Sequence, residues 1–263
     1  LFLNNSLVGT KDLGSKILTK VPEITVFFWI VKVLTTGMGE VFSDYLLTHI
    51  NPIIGIALGL IGLIASLVMQ FSARRYLPWV YWLTVVMVSI FGTMFADVLH
   101  VGFGIPYQVS TIFFLAAMAI IFVAWYTSEK TLAIHSIHTR RREAFYWSIV
   151  LVTFALGTAT GDLTATTLNL GYFTSGVLFA VLIAVPALAY WLFGLNEIFA
   201  FWFAYIMTRP LGASIADWMG MQRFRGGLGL GTGPVSLVLT IIIIALVGYL
   251  TVTRRDVQNE HAV

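Results

Sequence analysis

The chain contains no cysteine among its 263 residues, which excludes disulfides and thiolate metal sites outright. Charge is scarce as well. Asp, Glu, Lys and Arg make up 10% of the residues, where a soluble domain carries about 25%. With 59% of the chain hydrophobic, there is too little polar surface to face water, so the composition predicts a polytopic membrane protein. The in–out alternation of transmembrane β-strands, in segments of about 10 residues, is missing. So are a cleavable signal peptide, a His-Glu-x-x-His zinc motif, and haem or dinucleotide patterns. The glycines of "GGLGLGTGPVS" are not followed by the Lys-Ser/Thr of a phosphate loop. No cofactor is evident, a bound cation being the one candidate, and nothing points to a nucleic-acid partner.

What the chain does have is long apolar runs, each near the 20 residues a helix needs to cross a bilayer. Eight are predicted, over about 23–48, 53–72, 77–100, 107–127, 144–168, 172–193, 197–219 and 233–252. Residues 1–22 form an interfacial helix or a plain tail, and residues 253–263 a second tail. Lys11, Lys16, Lys20, Arg74, Arg75, Lys130, Arg140, Arg141, Arg142, Arg254 and Arg255 all fall on one side of an eight-span layout, against Arg223 and Arg225 on the other. The positive-inside rule then predicts that both termini are cytoplasmic. Lys32 and Arg209 fall inside spans.

The chain also repeats itself. Aligned on Asp44, Asp97, Asp162 and Asp217, it shows a Trp fifteen residues earlier each time: Trp29, Trp82, Trp147 and Trp202. Phe28, Tyr81, Tyr146 and Phe201 precede those tryptophans. Gly39, Gly92, Gly157 and Gly212 stand five residues before each Asp, and a small residue (Ser43, Ala96, Gly161 or Ala216) stands just before it. Each unit holds two spans, with the motif on the odd one, so the four units (about 23–76, 77–143, 144–196 and 197–252) run in the same orientation within one membrane domain. At 1.5 Å per residue, Trp and Asp are roughly 22 Å apart along the helix, which puts the Asp in the outer part of the membrane.

These motifs resemble an uncharacterised bacterial membrane-protein family of four tandem two-helix repeats, each with a characteristic Trp. The resemblance covers about residues 23–252. It implies a protein of the bacterial cytoplasmic membrane and carries no established activity.

Gly-x3-small places two small residues on one helix face, which lets backbones approach closely; Gly39, Gly92, Gly157 and Gly212 are therefore expected to pack helices. The tryptophans are expected to anchor at the interface or to pack. The aspartates are harder to explain structurally, because a charge at bilayer depth costs roughly 2.5–3.5 kcal/mol. Stepping back by fours along one face gives Glu40 and Lys32 in repeat one, Thr93 in repeat two, Thr158 in repeat three and Arg209 in repeat four. The expected fold is all-α, with the four odd helices inside and the even helices facing lipid. Asp44, Asp97, Asp162 and Asp217 should then meet near the axis, with Glu40 and Asp44 positioned to pair with Arg209 and Lys32.

Three functions compete. A transporter or channel for a cation or proton-coupled small solute would use the Asp residues, Glu40, Thr93 and Thr158 as oxygen ligands, with Lys32 and Arg209 as counter-charges or as a grip on an anionic solute. His49 and His100 lie just beyond two of the aspartates as candidate ligands or relays. A scaffold or accessory subunit would use the aspartates to satisfy buried donors. An intramembrane aspartyl enzyme would need Gly-x-Gly-Asp, and the first Gly is missing before all four Asp. The bilayer, an ion or small solute, and self-association or a larger membrane complex are the partners in view.

Overall fold

The computed structural model describes residues 19–257, so most of the N-terminal segment expected as an interfacial helix or a plain tail, with Lys11 and Lys16, and the last six residues lie outside the described residues. Eight helices follow one another: α1 (Val26–His49), α2 (Pro52–Ser72), α3 (Pro78–Asp97), α4 (Tyr107–Glu129), α5 (Arg140–Asp162), α6 (Tyr172–Phe193), α7 (Glu197–Gly220) and α8 (Thr232–Thr253). All eight are long and apolar enough to span a bilayer. There are no strands among the described residues.

The helix boundaries follow local chemistry. Pro52 and Pro78 open α2 and α3, where a missing N–H costs nothing. Side-chain oxygens of Thr25, Thr139 and Asn196 accept from the free N–H groups of α1, α5 and α7. Thr139 sets α5 further upstream than hydropathy predicts: Arg140, Arg141 and Arg142 form its first turn, and Arg142 donates to Glu129 at 2.8 Å.

The odd helices form a closed ring in which α1 packs on α3, α3 on α5, α5 on α7, and α7 on α1. In their most apolar stretches 50–67% of residues are buried, against 17–28% for the even helices, which establishes the inner and outer layers. The outer layer is offset by one repeat. α2 lies mainly on α3, α4 on α5, α6 on α7, and α8 returns to lie mainly on α1. Each repeat thus covers the inner helix of the next, and the last covers the first.

The motif glycines show how the ring closes. A Cβ on Gly39 would lie 1.9 Å from Ser89 Oγ; one on Gly92 would lie 2.7 Å from Phe154 Cβ; one on Gly157 would lie 2.1 Å from Arg209 Cγ; one on Gly212 would lie 1.8 Å from Thr36 Oγ1. Ser89, Phe154, Arg209 and Thr36 each stand eight residues before their own Asp. The same contact therefore recurs four times around the ring, and the fourth, Gly212 on Thr36, joins repeat four to repeat one.

Candidate functional site: an acidic cavity above a sealed axis

The ring encloses three layers. At the end where the odd helices begin, the aromatic pairs close the axis. Phe28, Tyr81, Trp82, Tyr146, Trp147, Phe201, Trp202 and Tyr205 are all buried. The Tyr81 and Tyr146 hydroxyls meet at 2.6 Å, and Trp202 Nε1 donates to the Leu132 carbonyl at 2.9 Å. Of the motif tryptophans, Trp82, Trp147 and Trp202 are buried in the core and Trp29 is partly buried against it, whereas Trp79 and Trp191, outside the motif, are exposed. Beneath this layer a second set of contacts ties the chain ends together: Lys20 to Glu143 at 2.6 Å, Gln70 to Glu143 at 2.9 Å, and the Tyr76 hydroxyl to Asp256. Burial holds the Asp256 carboxyl above the usual carboxylate range and, together with the Asp256 charge, pushes the Tyr76 phenol up.

The middle layer is a charge pair drawn from all four inner helices. Arg209 on α7 donates to Glu40 on α1 at 2.5 Å, with both side chains buried. Thr93 on α3 and Thr158 on α5 each donate to the same Glu40 oxygen at 3.2 Å. Arg209 also contacts Thr158 at 2.7 Å and Thr93, and donates to the Thr36 carbonyl at 3.3 Å. The expected pairing of Glu40 with Arg209 is therefore formed.

Lys32 makes no such pair. Its Nζ is buried without a hydrogen-bond partner and sits 4.1 Å from the Phe154 ring centroid and 4.2 Å from that of Tyr205. Phe154 lies between the two cations, since the Arg209 guanidinium is 5.2 Å from the same ring. Aromatic faces replace the carboxylate that the sequence pattern suggested.

Above the pair the axis opens. A cavity of about 1500 Å³ is lined by Asp44, Asp97, Asp162 and Asp217, with Glu40 among its lining. All four motif aspartates thus face one compartment. Their carboxylates form no ion pair and accept no side-chain hydrogen bond among the described residues. Asp217 is 4% exposed, and its Oδ1, like Asp97 Oδ2, has no partner. No three His, Asp or Glu side chains among the described residues stand close enough to hold one metal ion.

The cavity wall is asymmetric. In repeats two and three the inner helix ends in a π-helical turn straight after its aspartate, over Val98–Gly102 and Leu163–Thr167. The next helix then opens with a tyrosine, Tyr107 or Tyr172, ten residues after the Asp, and both tyrosines line the cavity. Because α4 leans on α5 and α6 on α7, each tyrosine is carried over the inner helix of the following repeat. Repeats one and four lack these tyrosines and supply Tyr45, His49 and Arg225 to the wall instead. His100 is spent on structure: its ring nitrogens contact the Ile105 carbonyl at 3.0 Å and Ser110 Oγ at 3.3 Å, and it packs on Tyr107 with centroids 4.1 Å apart. Tyr107 and Tyr172 were not singled out in the sequence, although a Tyr ten residues after Asp in two repeats was there to be seen.

Eight spanning helices, a closed fourfold inner ring and a polar axis define an integral membrane protein built from internal repeats. The chain belongs to the family described as "Repeat of Unknown Function (DUF347)", whose pattern matches four times, at residues 27–76, 80–131, 145–195 and 200–256. No curated protein and no solved structure matches it.

Proposed function

We propose that this protein is a membrane transporter for a cation or a proton-coupled small solute, and that the acidic cavity is its loading site. The observation that carries the reading is the convergence of four uncompensated carboxylates on one cavity closed at its base by the Glu40–Arg209 pair. Intramembrane carboxylates without protein partners are expensive unless water or a cation meets them. A scaffold would use them to satisfy buried donors, and none of the four does so among the described residues. The closed axis favours a carrier over an open channel: release on the other side requires the charge pair and the aromatic layer to part.

In this reading the protein lies in the bacterial cytoplasmic membrane with both termini in the cytoplasm, and the cavity opens to the opposite side. The clustering of Arg and Lys at the end away from the aspartates supports that orientation. The test is ion and proton flux into proteoliposomes, comparing the parent with Asp44→Asn, Asp97→Asn, Asp162→Asn and Asp217→Asn. Loss of flux in at least one folded variant is expected; unchanged flux in all four rejects the proposal.

A further inference from the structure

Resting on the transport reading, we infer that the cavity takes an organic cation carrying two or more ammonium groups, a diamine or polyamine, rather than a metal ion.

The first ground is the spacing of the acids. Each aspartate is carried by a different inner helix, and packed helix axes stand about 8–10 Å apart. A hard metal ion needs several oxygen ligands converging at 2–3 Å, and no three acidic or histidine side chains gather in that way among the described residues. An alkyl chain with an ammonium at each end places its charges at separations comparable to neighbouring helices, so one ligand can meet two carboxylates carried by different helices.

The second ground is the burial of individual members of the acidic set. Asp217 is almost wholly buried, is part of the cavity lining and forms no ion pair among the described residues, and its Oδ1 has no hydrogen-bond partner. Asp97, half-buried, is also part of the lining, and its Oδ2 has no partner. An ammonium group carries three N–H donors and fits such an acceptor.

The third ground is the aromatic wall. Tyr107 and Tyr172, which open the outer helices of repeats two and three, line the cavity together with the four aspartates. Aromatic rings in the wall of an acidic cavity suit an alkylammonium group, since a ring face attracts the cation and also covers its methylenes. The charge balance agrees: four aspartates face Arg225, with Glu40 already neutralised by Arg209. At about 1500 Å³ the cavity is also far larger than an ion requires.

The test is calorimetric titration of the purified full chain in nanodiscs with putrescine, spermidine, choline and Mn²⁺, combined with the flux assay. The expected result is saturable binding of putrescine and spermidine, weakened at least tenfold by Asp162→Asn and by Asp217→Asn. Tyr107→Leu should weaken it as well, and Tyr107→Phe should largely keep it. The Asn variants remove a buried charge and should unfold no earlier than the parent. Should either fail to fold, the less buried Asp44→Asn takes its place, with weaker diamine binding again expected. Absence of saturable amine binding to folded protein overturns the inference, as does choline binding as tightly as putrescine, or Mn²⁺ binding more tightly than either amine. If amines do not bind but the Asn variants still abolish proton or metal flux, the transport reading survives and this inference falls. If neither binding nor flux depends on the aspartates, both fall.

Discussion

The backbone of Gly212 lies directly against Thr36, and this contact joins the fourth repeat to the first. A methyl group at Gly212 would meet Thr36 Cβ at 2.8 Å and the Val33 carbonyl at 2.9 Å, so turning the threonine side chain does not make room. Gly212→Ala should therefore wedge the ring open and cost about 1–3 kcal/mol, the usual price of overpacking. Gly248 on α8 is the control, because nothing lies within 4 Å of its would-be Cβ. Gly248→Ala should be neutral or stabilising by up to about 1 kcal/mol through helix propensity. Thermal unfolding of the two variants in one detergent checks the contrast; equal midpoints would mean that the α7–α1 contact does not close the ring.

Glu40 and Arg209 should behave as a unit. Arg209→Met leaves a buried carboxylate with only Thr93 and Thr158 as donors, and Glu40→Met leaves a buried guanidinium. Breaking a buried pair from one side costs about 3–5 kcal/mol, whereas replacing both partners with apolar groups is often close to neutral. The double variant Glu40→Met/Arg209→Met should thus be more stable than either single one, as read from a double-mutant cycle of unfolding midpoints. Its flux should still differ from that of the parent, because the base of the cavity has lost its polarity. If the double variant is no more stable than the singles, Glu40 and Arg209 are not coupled.

Lys32 gives a prediction of the opposite sign. Its amine is buried against Phe154 and Tyr205 with no hydrogen-bond acceptor. An unsatisfied buried polar group costs about 1–3 kcal/mol in protein mutational data, and the two ring contacts offset part of that. Lys32→Met keeps the volume and removes the amine, so it should raise the unfolding midpoint. A lower midpoint would show that the aromatic box more than compensates for burial of the amine.

The repeats, the eight spans and the split into inner and outer helices were legible because the same residue types recur at the same offsets in each unit. The pairing of Glu40 with Arg209 was legible for a related reason: the charged exceptions sit in repeats one and four, which a closed ring makes neighbours. The offset of the outer helices was not legible, since all even helices are apolar on every side and carry no mark of which inner helix they cover. Nor was the fate of Lys32, because Phe154 and Tyr205 read as ordinary apolar positions until the ring brings them around the amine. The tryptophans fit both interface and core by type, and their burial is decided by tertiary packing around the axis.

Asp256 ties the last turn of the described chain to Tyr76, and pH should reveal it. Burial is the main reason its carboxyl is held above the ordinary value of 3.8. A raised carboxyl favours the protonated form in the folded state, so its contribution to stability is fully present below about pH 4 and is lost as pH rises through the folded value. Asp256→Asn keeps an oxygen for the Tyr76 hydroxyl and cannot ionise. It should unfold later than the parent at pH 7, and the two curves should converge as pH falls toward 4. Unfolding midpoints measured from pH 4 to pH 8 supply the check; a constant gap between the curves, or an Asn variant less stable at pH 7, would show that ionisation of Asp256 does not weigh against this end of the bundle.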